Sequence, residues 1–257
     1  MTEPSLSARK KQSPSMQISS LLSTLRQRGE DAAMPRILPF ALFMLFIALH
    51  SLLPWLSTLL PALASWDTVL LLWLYPLRIA IVLAALLYAW PAYRELKGQA
   101  FANVGEVLLA IGVGIIVYLA WVRMEWSWAM QGEASGYDPF QAGSGAGLVL
   151  IVVRVFGAVV VVPIMEELFW RSWLIRYLVS PQFTSVRLGT YTLLSCGATV
   201  VLFGLEHHLW LAGMMAGLVY TLLLYKTQRL WPCILAHAVT NLILALHVLM
   251  TGAWRWW

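Results

Sequence analysis

Long apolar runs separated by short polar breaks set the layout of this chain. Runs long enough to cross a bilayer fall at about 37–60, 69–92, 104–122, 148–178, 190–207, 211–225 and 231–250. Pro54 interrupts the first and Pro76 the second, which membrane helices tolerate where neighbours recapture the freed carbonyls. Asn103 followed by Glu106 predicts an N-cap for the third helix. One long loop is expected from Gly132 to Gly147, with Trp126, Trp128 and Tyr137 placing it at a headgroup boundary. These elements predict an all-α fold: a polytopic membrane helix bundle of about seven transmembrane helices, with 37–257 as a single transmembrane domain.

Residues 1–36 form a polar, Ser-rich cytoplasmic tail, and the first apolar run begins too late for a cleavable signal. Within the tail, Ile18, Leu21, Leu22 and Leu25 recur at helical spacing before Arg26 and Arg28. That pattern suits a short helix lying on an anionic membrane face, and an unstructured tail fits the same residues.

Composition supports the membrane reading. Of 257 residues, 60% are hydrophobic and 11% charged, more apolar surface than a soluble domain of this length hides. The net charge of +5 raises nucleic acid as a partner. Where the basic residues sit argues otherwise. With the N-terminus inside, thirteen Lys and Arg fall on the cytoplasmic side and only Arg123 and Arg255 on the other, while Arg78 and Arg154 lie within spans. The basic character is therefore topology: a cytoplasmic N-terminus, an exported C-terminus, the lipid bilayer as partner and no nucleic acid. Cys196 and Cys233 both sit in apolar segments and read as small buried reduced thiols.

Candidate chemistry begins with Glu166 and Glu167, adjacent acids inside the apolar run from Leu148 to Val179. A charge at bilayer depth costs at least roughly 2.5–3.5 kcal/mol on insertion scales, so two in a row need a reason. Glu167 and Arg171 are i and i+4 with the acid first, the favourable order for a helical ion pair. Glu166 points about 100° away and is left as a desolvated carboxylate suited to general-base work. Pro163 would loosen the helix and open room for water beside it. A buried salt-bridge network without catalysis fits the same residues.

Two later segments add imidazoles. Phe203 lies one turn before His207, while the adjacent His208 points elsewhere and Glu206 has no evident role. His237 and Asn241 share one helix face and offer an imidazole and a carboxamide with a free donor. Such a pair suits an oxyanion, a metal in the histidine's case, or helix–helix hydrogen bonding. Arg78 is expected either to pair with an intramembrane acid or to snorkel, and Arg154 to snorkel near the exported end. His50 and His247 have no companions in sequence and read as packing.

Taken together, Glu-Glu-x-x-x-Arg, Phe-x-x-x-His and His-x-x-x-Asn, in that order and each on its own membrane segment, resemble the CPBP family of intramembrane proteases. That family includes the type II CAAX prenyl endopeptidases and the bacteriocin-processing or immunity proteins. The likeness covers a four-helix core at about 148–250. The chain further resembles bacterial CAAX prenyl protease-related proteins associated with exosortase systems, in Arg36–Phe46, Val161–Trp173, Phe203–Gly213 and His237–Leu242.

The resemblance implies an intramembrane endopeptidase of the bacterial cytoplasmic (inner) membrane, hydrolysing a peptide bond of a membrane-associated polypeptide. In it Glu166 activates water assisted by His207, His237 and Asn241 stabilise the oxyanion, and Glu167, Arg171 and Phe203 support the site. A non-proteolytic membrane helper or immunity protein, binding a partner through the same polar core, is the alternative. A proton-coupled transporter is weakened by the absence of repeat symmetry. Glu166, His207 and His237 would supply three Zn2+ ligands and leave a fourth position for water, but no His-Glu-x-x-His is present and a metal-free site fits equally.

Depth poses a question. At ~1.5 Å per residue, Glu166 lies about 18 Å from Leu178, His207 about 30 Å from Arg187 and His237 about 10 Å past Leu230. The motifs meet in the cytoplasmic-to-middle half only where 183–194 lie along the interface and the fifth span starts near Ser195.

Overall fold

The computed structural model describes residues 32–59, 68–132 and 136–257; the tail pattern of Ile18–Leu25 lies outside them. Seven helices of the described residues form the bundle: α1 (Met34–Leu59), α2 (Thr68–Ala89), α3 (Val104–Trp121), α4 (Ser144–Tyr177), α5 (Leu193–Leu205), α6 (Trp210–Thr227) and α7 (Leu230–Thr251). No strand occurs among the described residues. The number of helices is as expected, but only α1 to α4 and α7 are long and apolar enough to cross a membrane. Helix α5 has 13 residues and spans only about 20 Å. Leu87, Val104, Leu108, Ile116 and Val152 turn outward, as a lipid-facing surface requires.

Local chemistry starts and stops these elements. Asn103 Oδ1 accepts from the Glu106 N–H at 3.0 Å, the expected cap of α3. Helix α5 opens on a capping box in which Thr192 and Ser195 satisfy each other's free N–H groups. Helix α4 begins at Ser144, four residues before the expected span. Gly147 permits that start, because a Cβ there would meet Phe140 Cδ1 at 2.9 Å and Pro139 O at 3.1 Å. The expected loop falls within the connection from α3 to α4, which carries 3-10 turns at Ser127–Ala129 and Pro139–Ala142, and only the last residues of that loop, from Ser144, belong to α4.

Helix α4 is not uniform. It widens into π-helical turns at Gly157–Val161 and Leu168–Leu174. The Val162 N–H bonds to Gly157 O, five residues back. In that register the next carbonyl, Ala158 O, faces the nitrogen of Pro163, which has no hydrogen to give. Asn241 on α7 supplies the donor instead, Nδ2 to Ala158 O at 2.8 Å. Pro163 does loosen the helix, then, and a neighbouring side chain satisfies the carbonyl it frees.

Close backbone approach holds the remaining helices. At Gly114 on α3, a Cβ would meet Ala236 O and, at 2.8 Å, Val239 Cβ of α7. At Gly213 on α6 it would meet Gly204 Cα of α5 at 2.9 Å. Small residues at such crossings are how membrane helices gain packing without a hydrophobic driving force.

The depth question resolves at the helix starts. Residues 178–192 contain only the short turn Phe183–Ser185, so His207 is about 21 Å from the start of α5. Along helix α7, Leu230 and Cys233 are already fully buried. His237 is therefore inside the bundle after only two turns.

A polar cluster joins α1, α4 and the segment after α2. Arg36 grips Glu95 with two bonds, Nε to Oε1 at 2.8 Å and Nη2 to Oε2 at 2.6 Å. Ser172 hydrogen bonds the same carboxylate, and Arg176 Nη2 donates to Ser172 Oγ at 2.8 Å. Burial pushes the Glu95 carboxyl up, but the bonds from Arg36 and Ser172 outweigh it and hold it below its ordinary value of 4.5. A depressed carboxylate contributes stability above its unfolded value and loses it as pH falls through the folded one. Thermal melting in detergent should therefore drop on acidification from pH ~5 to ~3, and Glu95→Gln should start lower and drop less. An equal drop in both proteins would remove this cluster from the account.

Candidate active site

Glu167 sits at the hub. Its Oε1 accepts from Arg171 Nη1 at 3.2 Å and from His237 Nδ1 at 3.0 Å, so one carboxylate fixes a guanidinium on α4 and an imidazole on α7. Glu167 and Arg171 are fully buried. The guanidinium also donates to Gly217 O at 3.2 Å and lies 4.3 Å from the Phe203 ring centre. Phe203 thus supports the site from α5, through the cation as well as beside His207.

With Nδ1 directed at Glu167, the His237 ring turns Nε2 toward Glu166 Oε2, 4.0 Å away. Tyr220 stacks on that ring at 5.2 Å and donates to Thr240 Oγ1 at 2.8 Å. Thr240 in turn donates to Gly114 O at 2.9 Å. The imidazole is held on its edge by an acid and on its face by a tyrosine that is itself tied down.

His207 follows a different pattern. Its Nδ1 lies 2.7 Å from Phe203 O, which assigns the Nδ1 hydrogen to that carbonyl and leaves Nε2 with a free lone pair. The turn bearing it is clamped by Gln131, whose Nε2 donates to Leu205 O at 2.6 Å and to His207 O at 2.9 Å. His208 points away, as expected, with Nδ1 2.6 Å from Gln131 O.

Glu166, His207, His237 and Asn241 line one cavity of about 320 Å³, together with Phe203 and Tyr220. The three motifs predicted from spacing meet in it. Asn241 is not the wholly free donor expected, since one of its two N–H groups serves Ala158 O and the second remains.

Two residues of this centre had no predicted role. Glu206 brings a second carboxyl within 4.8 Å of Glu166, with its Oε2 buried and unpartnered. Its position directly before His207, at membrane depth, was the only sequence signal. Tyr220 has no sequence signal of its own, since nothing in the spacing of α6 distinguishes it.

Ligating atoms of Glu166, Glu206 and His207 lie within 4.8 Å of one another, and these three could hold a metal ion. The zinc set expected from sequence had His237 in place of Glu206. The Glu167 bond directs His237 Nε2 toward Glu166 Oε2 as well, 4.0 Å away. An imidazole whose Nδ1–H is anchored on a carbonyl, as in His207, presents Nε2 as metal ligands do.

Other expectations change. Arg78 pairs with no acid among the described residues, and its guanidinium lies 4.3 Å from the Phe43 ring centre and 4.7 Å from that of Tyr75. Arg154, half-buried, reaches the connection before α4 and the C-terminal Trp257, 5.8 Å from that ring centre. It lies over Tyr75 at 4.3 Å and Tyr137 at 4.6 Å. His247 has a partner after all, Nδ1 lying 2.8 Å from the Tyr118 hydroxyl.

The fold and this centre define a multi-pass helical membrane protein with a buried acid–imidazole core. Residues 148–243 match the family model described as Type II CAAX prenyl endopeptidase Rce1-like, which supports a CPBP-family core in this segment and protease chemistry of the CAAX type in general. No curated protein and no solved structure matches the chain. None of these comparisons bears on the exosortase-linked likeness.

Proposed function

We propose that the chain is an intramembrane endopeptidase that cuts a membrane-associated polypeptide with water activated by Glu166. The observation that carries this reading is a 5%-exposed carboxylate sharing one cavity with two imidazoles and a carboxamide, each imidazole fixed by its other nitrogen.

In this mechanism ionised Glu166 takes a proton from water while the water oxygen attacks the scissile carbonyl carbon. His207 Nε2 accepts a hydrogen bond from the same water and aims it. The carbonyl oxygen becomes an oxyanion, which His237 Nε2–H and the second N–H of Asn241 stabilise. Glu167 accepts the Nδ1–H of His237 and holds that ring on target. Glu166 then passes its proton to the amide nitrogen, and the C–N bond breaks. Glu206, facing Glu166, offers a second carboxyl with which that proton is shared.

Glu166, Glu206 and His207 are the residues that would hold a divalent cation, which when bound would acidify the attacking water. Each step above is carried by the chain's own groups.

The decisive experiment compares membrane proteomes of cells carrying the wild-type chain and Glu166→Gln. A polypeptide shortened only with wild type supports the reading. An unchanged biological function in the variant would overturn it and leave a partner-binding helper in its place. We also place the N-terminus in the cytoplasm and the C-terminus outside the cytoplasmic membrane of a bacterium, because the basic residues gather on one side. Reporter fusions at the two ends should read opposite sides, and a shared side would overturn the orientation.

A further inference from the structure

The cavity that holds Glu166 also reaches two arginines that the hydrolytic steps do not use. Arg78 of α2 and Arg154 of α4 both line it, and both line a neighbouring cavity of about 420 Å³ beside His50, Tyr75 and Tyr137. Each guanidinium lies against the Tyr75 ring, at 4.7 Å and 4.3 Å from its centre, so the two cations are no farther apart than 9.0 Å, the sum of those distances. Among the described residues neither makes an ion pair, and Arg78 Nε is buried without any hydrogen-bond partner. Asp138 lines the neighbouring cavity and accepts the Phe140 N–H through Oδ1 at 3.0 Å, but it forms no ion pair with either arginine.

Two unpaired like charges held this close within a membrane bundle are costly unless an anion sits between them. The separation suits a single oxyanion accepting from both forks, the geometry at which guanidinium groups bind most strongly. Because the same cavity continues to Glu166, the anion belongs to whatever extends from the scissile bond.

We propose that Arg78 and Arg154 form a carboxylate-binding subsite for the polypeptide substrate, gripping either its terminal carboxylate or an acidic side chain. This rests on the endopeptidase reading and adds to it a class of substrate. From Arg154 to Glu166 is twelve positions along α4, about 18 Å. An extended peptide covers ~3.3–3.6 Å per residue, which places the carboxylate roughly five residues from the bond that is cut.

The test uses the full chain with Glu166→Gln, so that nothing is turned over, in phosphatidylcholine nanodiscs. The probe is an N-acetylated six-residue peptide of alternating Leu and Ala, titrated by tryptophan fluorescence as the free carboxylate and as the C-terminal amide. The carboxylate should bind at least about tenfold more tightly. An amidated peptide with Glu in the last position should recover that affinity where an acidic side chain is what the site reads. Arg78→Gln/Arg154→Gln should bring carboxylate and amide within about twofold, while Arg78→Lys/Arg154→Lys, which keeps the charges, should preserve part of the preference. Equal binding of every peptide, including no measurable binding, overturns the proposal, as does a preference that survives the double Gln variant. Loss of the preference when phosphatidylglycerol is added would assign the site to lipid phosphate and overturn it too. Binding is read without cleavage, so failure here and failure of the hydrolytic reading are separate results.

Discussion

Glu166→Gln should lower peptide hydrolysis by about 100- to 10,000-fold, the span that a positioned general base contributes, while the protein keeps its helix content and melting temperature. The amide has nearly the volume of the acid and keeps its place in the cavity, but it cannot take a proton from water. The fold does not depend on that charge. Glu166 makes no short ion pair, and its closest cationic partner, His237 Nε2, is 4.0 Å away. Cleavage of any substrate by purified protein, compared between the two forms, gives the answer. Retention of more than about a tenth of the rate would take Glu166 out of the base role.

The second large effect is structural. Arg171→Met should cost about 3–5 kcal/mol, because removing one partner of a buried pair strands the other. Glu167 would be left fully buried with His237 as its one remaining side-chain hydrogen-bond partner, and Gly217 O would lose a second donor beyond its helical one. The double variant Glu167→Gln/Arg171→Met removes both charges and should regain part of the loss. Thermal melting of the purified proteins measures both. Equal stability of Arg171→Met and wild type would show that the pair does not brace the helices.

Glu167 and Arg171 are legible as a pair from their spacing alone, since an acid and an arginine at i and i+4 in an apolar run can hardly avoid each other. The other motifs are legible for a related reason. Polar side chains at one-turn spacing inside a membrane segment must face something polar, so Phe203 with His207 and His237 with Asn241 could be expected to converge. The number of helices follows from the apolar runs in the same way. The spans do not, because the run 190–207 reads as long enough to cross, whereas its helix Leu193–Leu205 has only 13 residues.

What stays hidden depends on contacts between helices. The π turns of α4 leave no mark on a pattern read at 3.6 residues per turn, and only they explain why Asn241 spends a donor on Ala158. Glu206 is visible as an acid, but its approach to Glu166 is set by the α5–α6 turn. Arg78 makes no ion pair among the described residues, because the faces of Phe43 and Tyr75, which carry no formal charge, take the place of an acid.

Gln131 belongs to the connection between α3 and α4, yet it holds the backbone on both sides of Glu206 and meets His208 as well. The imidazole of His207 thus takes its footing from a strap outside the helices. The backbone beneath the buried centre is moored by a residue that no helix contains.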